Sequence, residues 1–418
     1  MTPLVALVAT LDTKSAEAEF LRCELRARGC RVRVVDVGLR STGGADASAG
    51  AVAAAAGHEL DELREQRRDR AIAGMADGAG VLLNRWRARG DLDAVLAVGG
   101  NQGTAVAAGA MRELPFGIPK YIVSTVASGD TRGVVGDSDV VLAFSVGDLL
   151  GGPNPVTATV LRQAAAAVAA TAATAPEPRG PGPLVAVTAF GNTHEAVETA
   201  SRHLARAGVH TVAFHASGAS GSAMERFLDE GMFDGALDLT THELLAELYP
   251  ADIYAPVRPG RLTAAGRRGI PQVVAPGGLE YHCFAAAETI PAHMRERPVH
   301  HHNPNNTNVR ATTGEMAEVA ATMAARLNAA TGPVSVLIPA LGWSHVGSPG
   351  GVLHDPPVNA RFVTELRDHL DDRVAVDELP VTINDPSFGV RAADTLLEML
   401  WIERSQKSTS DSTTEVQR

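Results

Sequence analysis

The stretch of residues 92–111, LDAVLAVGGNQGTAVAAGAM, most constrains the fold that this chain can adopt. Its apolar run from Val95 to Val98 ends in the loop Gly99–Thr104, which passes directly into an alanine-rich segment. This order is typical of a buried strand, a tight glycine turn and the start of a helix. Glycine lets the backbone approach a ligand closely, and the free N–H groups of a helix start favour an anion. The stretch therefore predicts a ligand-binding loop at the end of a strand.

Two further loops of the N-terminal half have the same position after a strand. The loop 10-TLDTKS-15 follows the strand Leu4–Ala9, and the loop 124-STVASGDTR-132 follows the strand Tyr121–Ser124. In an open parallel sheet such loops emerge at the carboxyl edge and converge on one crevice. We expect the ligand site of the first half to lie in that crevice.

The alternation of strands and helices is interrupted by the stretch 174-TAPEPRGPGP-183. Proline and glycine at this density exclude a helix or a central strand, and the alternation restarts after it. We therefore predict an α/β fold of two Rossmann-like, doubly wound and mostly parallel domains, residues 1–173 and 184–404, joined by the linker 174–183. The Ser/Thr-rich residues 405–418 are predicted to form a disordered tail.

The composition excludes some classes of partner and indicates the compartment of the protein. The net charge is -11 and the chain has no basic tract, so nucleic acid and anionic membranes are not expected partners. Cys23, Cys30 and Cys283 have no metal-finger spacing, and their odd number suits a reducing compartment. No apolar run reaches the roughly 20 residues that span a bilayer, and the N-terminus does not resemble a signal peptide. We expect a cytoplasmic protein.

The first half carries residue types that suit a polyphosphate and Mg²⁺. Its glycine loop matches neither the Walker A pattern nor GxGxxG, so the prediction depends on the neighbouring hydroxyls, carboxylates and cation. Asp12 and Asp130 are candidate Mg²⁺ ligands, although Asp12 is equally suited to a helix N-cap. The candidate nucleotide-binding residues are Asp12, Thr13, Lys14, Gly99, Gly100, Asn101, Gly103, Thr104, Thr125, Ser128, Gly129, Asp130 and Thr131.

Lysine is scarce in this chain. Its three lysines are Lys14, Lys120 and Lys407, and the first two lie beside the predicted phosphate loops. We interpret Lys14 as a functional residue because it lies within a loop. For Lys120 a functional role and chance placement are equally plausible.

The second half repeats the pattern of a strand followed by a Gly/Ser loop and a helix. Residues 214-FHASGASGSAMER-226 form one such predicted anion cradle, and 275-APGGLEYHCF-284 brings Glu280 to the same exposed edge. His215 suits a general base or a ligand contact, although a lone histidine at a strand end is more often structural. The spacing of Thr240 and Glu243 predicts a capping box.

The most unusual run of the second half is 298-PVHHHNPNNTNVRATT-313. Three consecutive histidines suggest a metal, but neighbouring side chains of an extended chain alternate between faces, so all three cannot easily bind one ion. The sequence leaves open whether His300–His302 bind a metal. The candidate catalytic residues of this half are His215, Glu280 and Arg310. The candidate substrate-binding residues are Ser217, Gly218, Ser220, Gly221, Gly277, Gly278 and Asn303.

In this order the motifs resemble the family of the tomato mosaic virus resistance protein N-terminal module and its bacterial relatives. The resemblance covers about residues 4–400. It rests on the motifs 10-TLDTK-14, 99-GGNQGT-104, 124-STVASGDTR-132, 214-FHASGASGSAME-225, 237-LDLTTHEL-244, 270-IPQVVAPGG-278 and 302-HNP-304. The resemblance implies two α/β domains, binding of ATP with Mg²⁺, and self-association as a homodimer or larger homo-oligomer.

The chain departs from the family pattern at three places. Its loop Gly99–Gly103 has fewer glycines, residues 306–312 replace the usual Thr-Leu-Met-Arg-Thr, and 190-FGNTHEAV-197 lacks the usual paired threonines and proline. Because two of these changes lie in the second half, our hypothesis is that ATP binding persists while the co-substrate differs.

These observations predict an ATP-dependent enzyme. It would activate a small carboxylic acid or related metabolite by ligase-like phosphoryl or adenylyl transfer at the cleft between the two domains. One alternative is a non-catalytic ATP-sensing protein that binds a partner protein. A third is an ATP-independent hydrolase or lyase centred on His215 and Glu280.

Overall fold

In the computed structural model, the structure describes residues 2–40, 43–174 and 179–415, with side chains described as far as residue 401. The chain divides into two compact units, Met1–Arg179 and Gly180–Arg418. The division falls inside the predicted linker 174–183, of which residues 175–178 lie outside the described residues. Each unit is built around a parallel sheet, which confirms the predicted α/β fold with two doubly wound domains.

The sheet of the first unit has the strand order β2-β1-β3-β4-β5, and each pairing is parallel. Its strands are β1 (Leu4–Ala9), β2 (Arg31–Asp36), β3 (Ala94–Gly99), β4 (Lys120–Ser124) and β5 (Val140–Phe144). Its helices are α1 (Leu11–Ala27), α2 (Ala49–Ala55), α3 (Leu60–Glu65), α4 (Arg68–Ala88), α5 (Asn101–Arg112), α6 (Arg132–Val135) and α7 (Pro155–Ala172).

Helices cover both faces of this sheet because both faces are apolar. Val5 and Leu7 of β1 belong to one core with α1 and α7, whereas Ala6 and Val8 belong to another with α2, α4 and α5. Strands buried on both faces read as continuous apolar runs, and β1 and β3 are buried along their whole length. This is why the sequence predicts them well.

The main sheet of the second unit has the order β14-β13-β9-β8-β6-β7, again with parallel pairings. Its strands are β6 (Leu184–Ala189), β7 (His210–His215), β8 (Gly235–Thr240), β9 (Gln272–Gly277), β13 (Val334–Pro339) and β14 (Ala375–Leu379). Its helices are α8 (His194–Arg206), α9 (Ala219–Asp229), α10 (Glu243–Leu248), α11 (Ala264–Arg268), α12 (Thr313–Asn328), α13 (Pro356–His369) and α14 (Pro386–Glu415).

A second, antiparallel sheet is present in this unit, and the sequence does not predict it. Its order is β10-β12-β11, with β10 (Tyr281–Phe284), β11 (Val299–Asn303) and β12 (Asn306–Arg310). The two strands β11 and β12 form a hairpin that contains the histidine run.

The C-terminal helix α14 extends to Glu415 and therefore includes most of the segment 405–418 for which the sequence predicts disorder. Residues 416–418 lie outside the described part of the chain. Within that part, no helix combines the length and the apolar composition that a membrane span requires.

Candidate functional sites

A cavity of about 860 Å³ opens in the first unit where β1 and β3 end. In the strand order β2-β1-β3-β4-β5 the chain changes direction across the sheet between these two strands, which is the usual ligand position in open α/β sheets. Six of the predicted nucleotide-binding residues line the cavity, namely Asp12, Thr13, Lys14, Gly100, Asn101 and Gly103. The structure therefore brings two of the three predicted loops together.

The start of α5 forms one wall of this cavity. The N-cap is Gly100, which has no side chain to accept from the first helical N–H groups. The preceding Gly99 packs against the helix, since a Cβ atom there would lie 2.7 Å from Cα of Gly103. Thr104 instead shares a buried hydrogen bond of 2.7 Å with Ser124 and does not line the cavity. The N–H groups of a helix start are donors of the kind that favour an anion.

Three cationic side chains line the same cavity: Lys14, Arg40 and Arg68. Lys14 interrupts α1 with a non-helical backbone (φ -129°, ψ 23°), and its ammonium lies 3.4 Å from the carbonyl oxygen of Thr13. The lining also has an apolar part, which is formed by side chains of the segment after β2, of α4 and of α5. These side chains are Val37, Leu39, Ala71, Ile72, Met75 and Val106.

Asp12 is the acidic residue of this lining, and its role differs from a plain N-cap. Thr10 holds the N-cap position of α1, while the Asp12 carboxylate accepts the backbone N–H of Arg40 at 3.3 Å. Asp36, at the end of β2, is buried and accepts the N–H groups of Leu11 at 3.1 Å and Gly38 at 2.9 Å. Burial raises the pKa of Asp36. Asp12, unlike the buried Asp36, lines the cavity with its carboxylate.

The third predicted loop, after β4, contributes less than expected. Thr125 lies beside Gly100, with its Oγ1 3.7 Å from the position of a Cβ atom on that glycine. Ser128, Gly129, Asp130 and Thr131 are not among the described residues that line the cavity. Asp130 accepts the backbone N–H of Arg132 at 3.0 Å, and of the two predicted Mg²⁺ ligands it is Asp12 that lines the cavity.

Lys120 is a structural residue. Its side chain is fully buried at the start of β4, at the opposite end of the strand from the cavity. Its ammonium lies 2.5 Å from Asp139 and donates to the carbonyl oxygens of Pro115 at 2.8 Å and Ile118 at 3.1 Å. Of the two plausible interpretations, chance placement beside a loop is the one that the contacts favour.

The second unit has a smaller pocket of about 150 Å³, lined by aromatic and amide side chains. His215, at the end of β7, lines it together with Phe190 and Tyr254, whose ring centroids are 5.0 and 6.3 Å from the His215 ring. Partial burial and the charge of His242 lower the pKa of His215. The remaining lining residues are Gly191, Asn192, Tyr281, Cys283, His302, Asn306 and Asn308.

A buried trio of His242, Asp252 and Cys283 lies next to this pocket, which Cys283 lines. Nδ1 of His242 lies 2.9 Å from the carbonyl oxygen of Gly278, and Nε2 lies 3.2 Å from Oδ2 of Asp252. Burial opposes the charge of His242, but Cys283 and Asp252 outweigh it and raise the pKa of His242 above its ordinary value. Burial raises the pKa of the Cys283 thiol.

The predicted anion cradle after β7 already holds an anion of the protein itself. The carboxylate of Glu243 accepts the N–H of Gly218 at 2.5 Å, and a Cβ atom on Gly221 would lie 1.8 Å from Glu243 Oε2. Ser217 donates to the carbonyl oxygen of His215 at 3.3 Å. Ser217, Gly218, Ser220 and Gly221 are not among the described lining residues of the pocket. Gly221 makes room for Glu243, and Gly218 makes room for the carbonyl oxygen of Ala255.

Glu243 is therefore not part of a capping box, and that prediction is wrong. It lies 2.5 Å from Nε of the buried Arg261, which also contacts Glu225 and Asp238. Thr240 shares its hydroxyl hydrogen bond with Thr193 instead, at 2.8 Å.

Glu280 is buried, although the sequence predicts it at an exposed edge. Its Oε1 accepts the hydroxyl of Ser344 at 2.6 Å, and burial raises its pKa despite the charge of Arg310. Arg310 is also buried, donating to the carbonyl oxygen of Glu280 at 2.5 Å and to Asn359 at 2.6 Å. The Arg310 side chain joins β12 to α13 and to the residue before β10, whereas the Glu280 side chain contacts the loop after β13. Neither side chain lines the pocket among the described residues.

The other substrate-binding candidates of this unit, Gly277, Gly278 and Asn303, take part in strand packing, a carbonyl contact and a turn. A Cβ atom on Gly277 would lie 2.2 Å from the carbonyl oxygen of Leu239, so this glycine permits the approach of β9 to β8. Gly278, at φ +64°, presents its carbonyl oxygen to His242. Asn303 accepts the N–H of Asn305 at 2.8 Å at the hairpin turn.

The histidine run lies in β11, whose pairing with β12 is irregular between His301 and Asn303. The ring centroids of His300 and His302 are 6.1 Å apart. His302 lines the pocket.

The trio is the part of the site that sequence reasoning missed. His242, Asp252 and Cys283 lie after β8, after α10 and in β10, so their spacing matches no short metal motif. The available sequence signal was weak: a cysteine within a polar stretch that directly follows a glycine turn.

Two family models together match nearly the whole chain. Residues 3–177 match the N-terminal domain of the uncharacterised protein family UPF0261, and residues 182–400 match its C-terminal domain.

Individual relatives agree with this match. A UPF0261 protein of Clostridium tetani is 33% identical over 405 residues, which are 96% of this chain and 100% of that protein. The ToMV resistance protein Tm-1 of Solanum lycopersicum is 35% identical over 340 residues, which are 79% of this chain and 45% of the tomato protein. Among solved structures, the glycosyltransferase SnogD from Streptomyces nogalater covers 95% of both chains with 12% identity and a TM-score of 0.21, too low to support an argument.

The predicted resemblance to the tomato protein and its bacterial relatives is thus confirmed as a family relationship, while ATP binding stays a prediction. The chain belongs to the uncharacterised protein family UPF0261.

Proposed function

We propose that this chain is an ATP-dependent enzyme whose first unit binds ATP with Mg²⁺ and whose second unit binds a small carboxylic acid or related metabolite. The observation that carries the nucleotide part is one cavity in which the start of α5 meets Lys14, Arg40 and Arg68. The chemistry would be phosphoryl or adenylyl transfer to the acid.

The polar wall of the cavity suits a chain of phosphates. A helix start with a glycine N-cap offers backbone N–H groups and the positive end of the helix dipole. Lys14, Arg40 and Arg68 add charge-assisted hydrogen bonds to phosphate oxygens. The backbone N–H groups of the helix start are in place before a ligand arrives, so they would neutralise phosphate charge without reorganisation.

The rest of the cavity suits the remainder of a nucleotide. Its volume of about 860 Å³ lies within the range of small-molecule sites, and its apolar wall offers Leu39, Ile72 and Met75 to a base. Asp12 would hold Mg²⁺ directly or through water, since carboxylate oxygen is a preferred ligand of this ion. Bound Mg²⁺ would neutralise charge that develops on the transferred group. Asp130 is not part of this proposal.

The pocket of the second unit suits a small polar molecule. A volume of about 150 Å³ excludes a nucleotide, and Asn192 and Asn306 present amide groups to a carboxylate or amide. His215 lies at the pocket with a lowered pKa, so its neutral ring would accept a proton at pH 7. Arg310 and the loop 217–221 are engaged elsewhere, and Asn308 donates both amide hydrogens within the protein, to Cys283 and to Asn306. We therefore assign recognition of the acid to the second amide hydrogens of Asn192 and Asn306, whose first ones go to Tyr281 and Tyr254.

Titration calorimetry with ATP and Mg²⁺ tests the nucleotide part. We expect saturable binding by the wild-type chain and at least about a tenfold loss of affinity in Lys14→Ala and in Arg68→Ala, as expected for a charge-assisted hydrogen bond. Arg70→Ala is the matched control, because Arg70 lies on the same helix, is exposed and is not among the lining residues. No binding at millimolar ATP, or an equal loss in the control, would contradict the proposal.

ATP consumption then separates catalysis from sensing. We expect turnover when a small carboxylic acid and a nucleophile such as ammonia or an amine are both present. Tight binding without turnover for any acid–nucleophile pair would favour the ATP-sensing alternative instead.

A further inference from the structure

The buried trio beside the pocket has the composition of a metal site. His242, Asp252 and Cys283 offer an imidazole nitrogen, a carboxylate oxygen and a sulfur that all lie within 4.8 Å of one another. They come from three different segments of the second unit, and all three side chains are buried. A buried polar group needs a partner that satisfies it.

The orientation of His242 leaves one ring nitrogen without such a partner. A carbonyl oxygen only accepts hydrogen bonds, so Nδ1, 2.9 Å from the Gly278 oxygen, carries the hydrogen. In the neutral ring Nε2 then presents a lone pair, and it faces Oδ2 of Asp252, also an acceptor, at 3.2 Å. Among the described residues no group forms a well-aligned hydrogen bond with this Nε2. A positive charge between the two facing acceptors, either a proton on Nε2 or a bound metal ion, resolves the conflict.

The contacts of Asp252 and Cys283 resemble the supports of metal ligands. The Asp252 carboxylate accepts the N–H of Tyr254 at 2.8 Å and the N–H of Cys283 at 2.6 Å. Asn308 donates its amide to the sulfur of Cys283 at 3.1 Å. Such outer contacts, like the carbonyl behind Nδ1 of His242, orient ligand atoms and tune a bound metal.

We propose that His242, Asp252 and Cys283 bind a divalent transition metal, with Zn²⁺ the best match, beside the pocket of the second unit. Nitrogen, thiolate sulfur and carboxylate oxygen are the ligands that Zn²⁺ takes in proteins. Three protein ligands with a fourth position left to water or substrate is the arrangement of catalytic zinc sites.

The pocket provides space for a water molecule or a substrate beside the proposed metal ion. Cys283 lines the pocket, so a metal held by its sulfur has on that side a space of about 150 Å³ for water or a small substrate. A metal in this position polarises a carbonyl group or lowers the pKa of bound water. The metal ligands lie in the second unit, so this site is independent of the proposed ATP binding to the first unit.

Cobalt substitution and zinc analysis test the site. The full-length chain, without a histidine tag, is purified with zinc present and dialysed, and we expect one zinc ion per chain. Cobalt should give a thiolate-to-metal charge-transfer band in the near ultraviolet. We expect Cys283→Ser to abolish this band and to weaken zinc binding by at least about 100-fold, more than loss of an outer contact does.

Two controls separate this site from other metal-binding groups. Cys30→Ser replaces a buried thiol of the first unit, and His301→Asn alters the histidine run. Both should retain the zinc and the band. If circular dichroism shows that Cys283→Ser does not fold, Asp252→Asn should keep the band and still weaken zinc binding. A wild-type chain that retains no zinc and shows no cobalt band would overturn the inference and leave a simple imidazolium–carboxylate pair. Zinc binding unchanged in Cys283→Ser would also overturn it.

Discussion

Arg261 illustrates how single residues hold charge inside the second unit. Its guanidinium is 1% exposed and contacts the carboxylates of Glu243 at 2.5 Å, Glu225 at 2.6 Å and Asp238 at 3.0 Å. Burial raises the pKa values of Glu225 and Glu243, and Arg261 opposes this shift. One cation therefore serves three buried carboxylates.

Replacing Arg261 by glutamine should destabilise the chain strongly. Removing one partner of a buried ion pair leaves uncompensated charge, which costs about 3–5 kcal/mol. The remaining carboxyl groups would then have folded-state pKa values further above those of the unfolded chain, so protonation favours the folded state and the defect should shrink as the pH falls from 7 to 5. Urea unfolding at both pH values measures this effect.

Arg267→Gln is the matched control for that experiment. Arg267 pairs with Asp229 at the surface, where both side chains are about half exposed. Exposed pairs contribute about 0–1 kcal/mol. An Arg261→Gln variant no less stable than Arg267→Gln would show that the buried cluster does not depend on its cation.

Gly221→Ala should destabilise the chain, although Gly→Ala within a helix normally stabilises. A Cβ atom at this position in α9 would lie 1.8 Å from Glu243 Oε2, and Glu243 is itself fixed by Arg261 and Gly218. Overpacking of this kind typically costs about 1–3 kcal/mol.

The comparison variant is Gly314→Ala in the first turn of α12. No described atom lies within 4 Å of its Cβ position, so alanine should be neutral or stabilise by up to about 1 kcal/mol. Thermal unfolding of the two variants should therefore shift in opposite directions or differ clearly in size. Equal shifts would contradict the packing argument.

At the scale of elements, α12 is fixed at its start by a reciprocal cap. Thr312 accepts the N–H of Glu315 at 3.3 Å, and Glu315 accepts the N–H of Thr312 at 2.7 Å. The Glu315 carboxylate also lies 2.8 Å from Arg297 and 3.2 Å from His282. Burial opposes its charge, but these contacts prevail and lower the pKa of Glu315 to about 2. The helix start is thus joined to β10 and to the segment before β11.

This cap predicts a particular acid sensitivity. A carboxyl group with a lowered folded-state pKa adds stability above its ordinary pKa and loses it as the pH falls toward the folded-state value. Between pH 4.5 and 2 the wild type should therefore lose up to about 3 kcal/mol more unfolding free energy than Glu315→Gln. Thr312→Ala, which keeps the carboxylate contacts, should cost about 1 kcal/mol and retain the wild-type pH profile. Identical profiles for wild type and Glu315→Gln in guanidinium titrations would rule out the cap as the source.

Local signals explain which elements and site residues the sequence predicts. Strands such as β3 are short apolar runs next to glycine turns, and the loop Gly99–Gly103 needs only its neighbours in sequence to form a helix start. The small sheet is missed because β11 is histidine-rich and β12 is polar, and neither has an apolar alternation. Glu280 is misplaced because Ser344, 64 positions later, covers it. The trio of His242, Asp252 and Cys283 likewise depends on contacts between residues that are far apart in sequence.

At the scale of the whole molecule, the two units use one strand order twice. The order β2-β1-β3-β4-β5 recurs in the second unit as β7-β6-β8-β9-β13, extended by β14 and by the antiparallel sheet. The first unit leaves an open cavity of about 860 Å³ at its reversal of strand order. In the second unit, a buried hydrogen bond of 2.8 Å joins Thr240, at the end of β8, to Thr193, in the segment that follows β6. The same architecture therefore leaves a cavity of about 860 Å³ in one unit and a pocket of about 150 Å³ in the other.

Residues 1–179 should fold alone and keep the proposed nucleotide site. This unit has a complete five-stranded sheet with an apolar core on each face, and chains of this length bury about 70% of their unfolded surface. All cavity-lining residues lie within it.

Thermal unfolding of the fragment should be cooperative, and its affinity for ATP should stay within about threefold of the full chain, a difference below 1 kcal/mol. The fragment 1–179 with Lys14→Ala is the control and should fold but bind weakly. A folded wild-type fragment that binds no ATP, beside a full chain that does, would show that the first unit is not sufficient for the site.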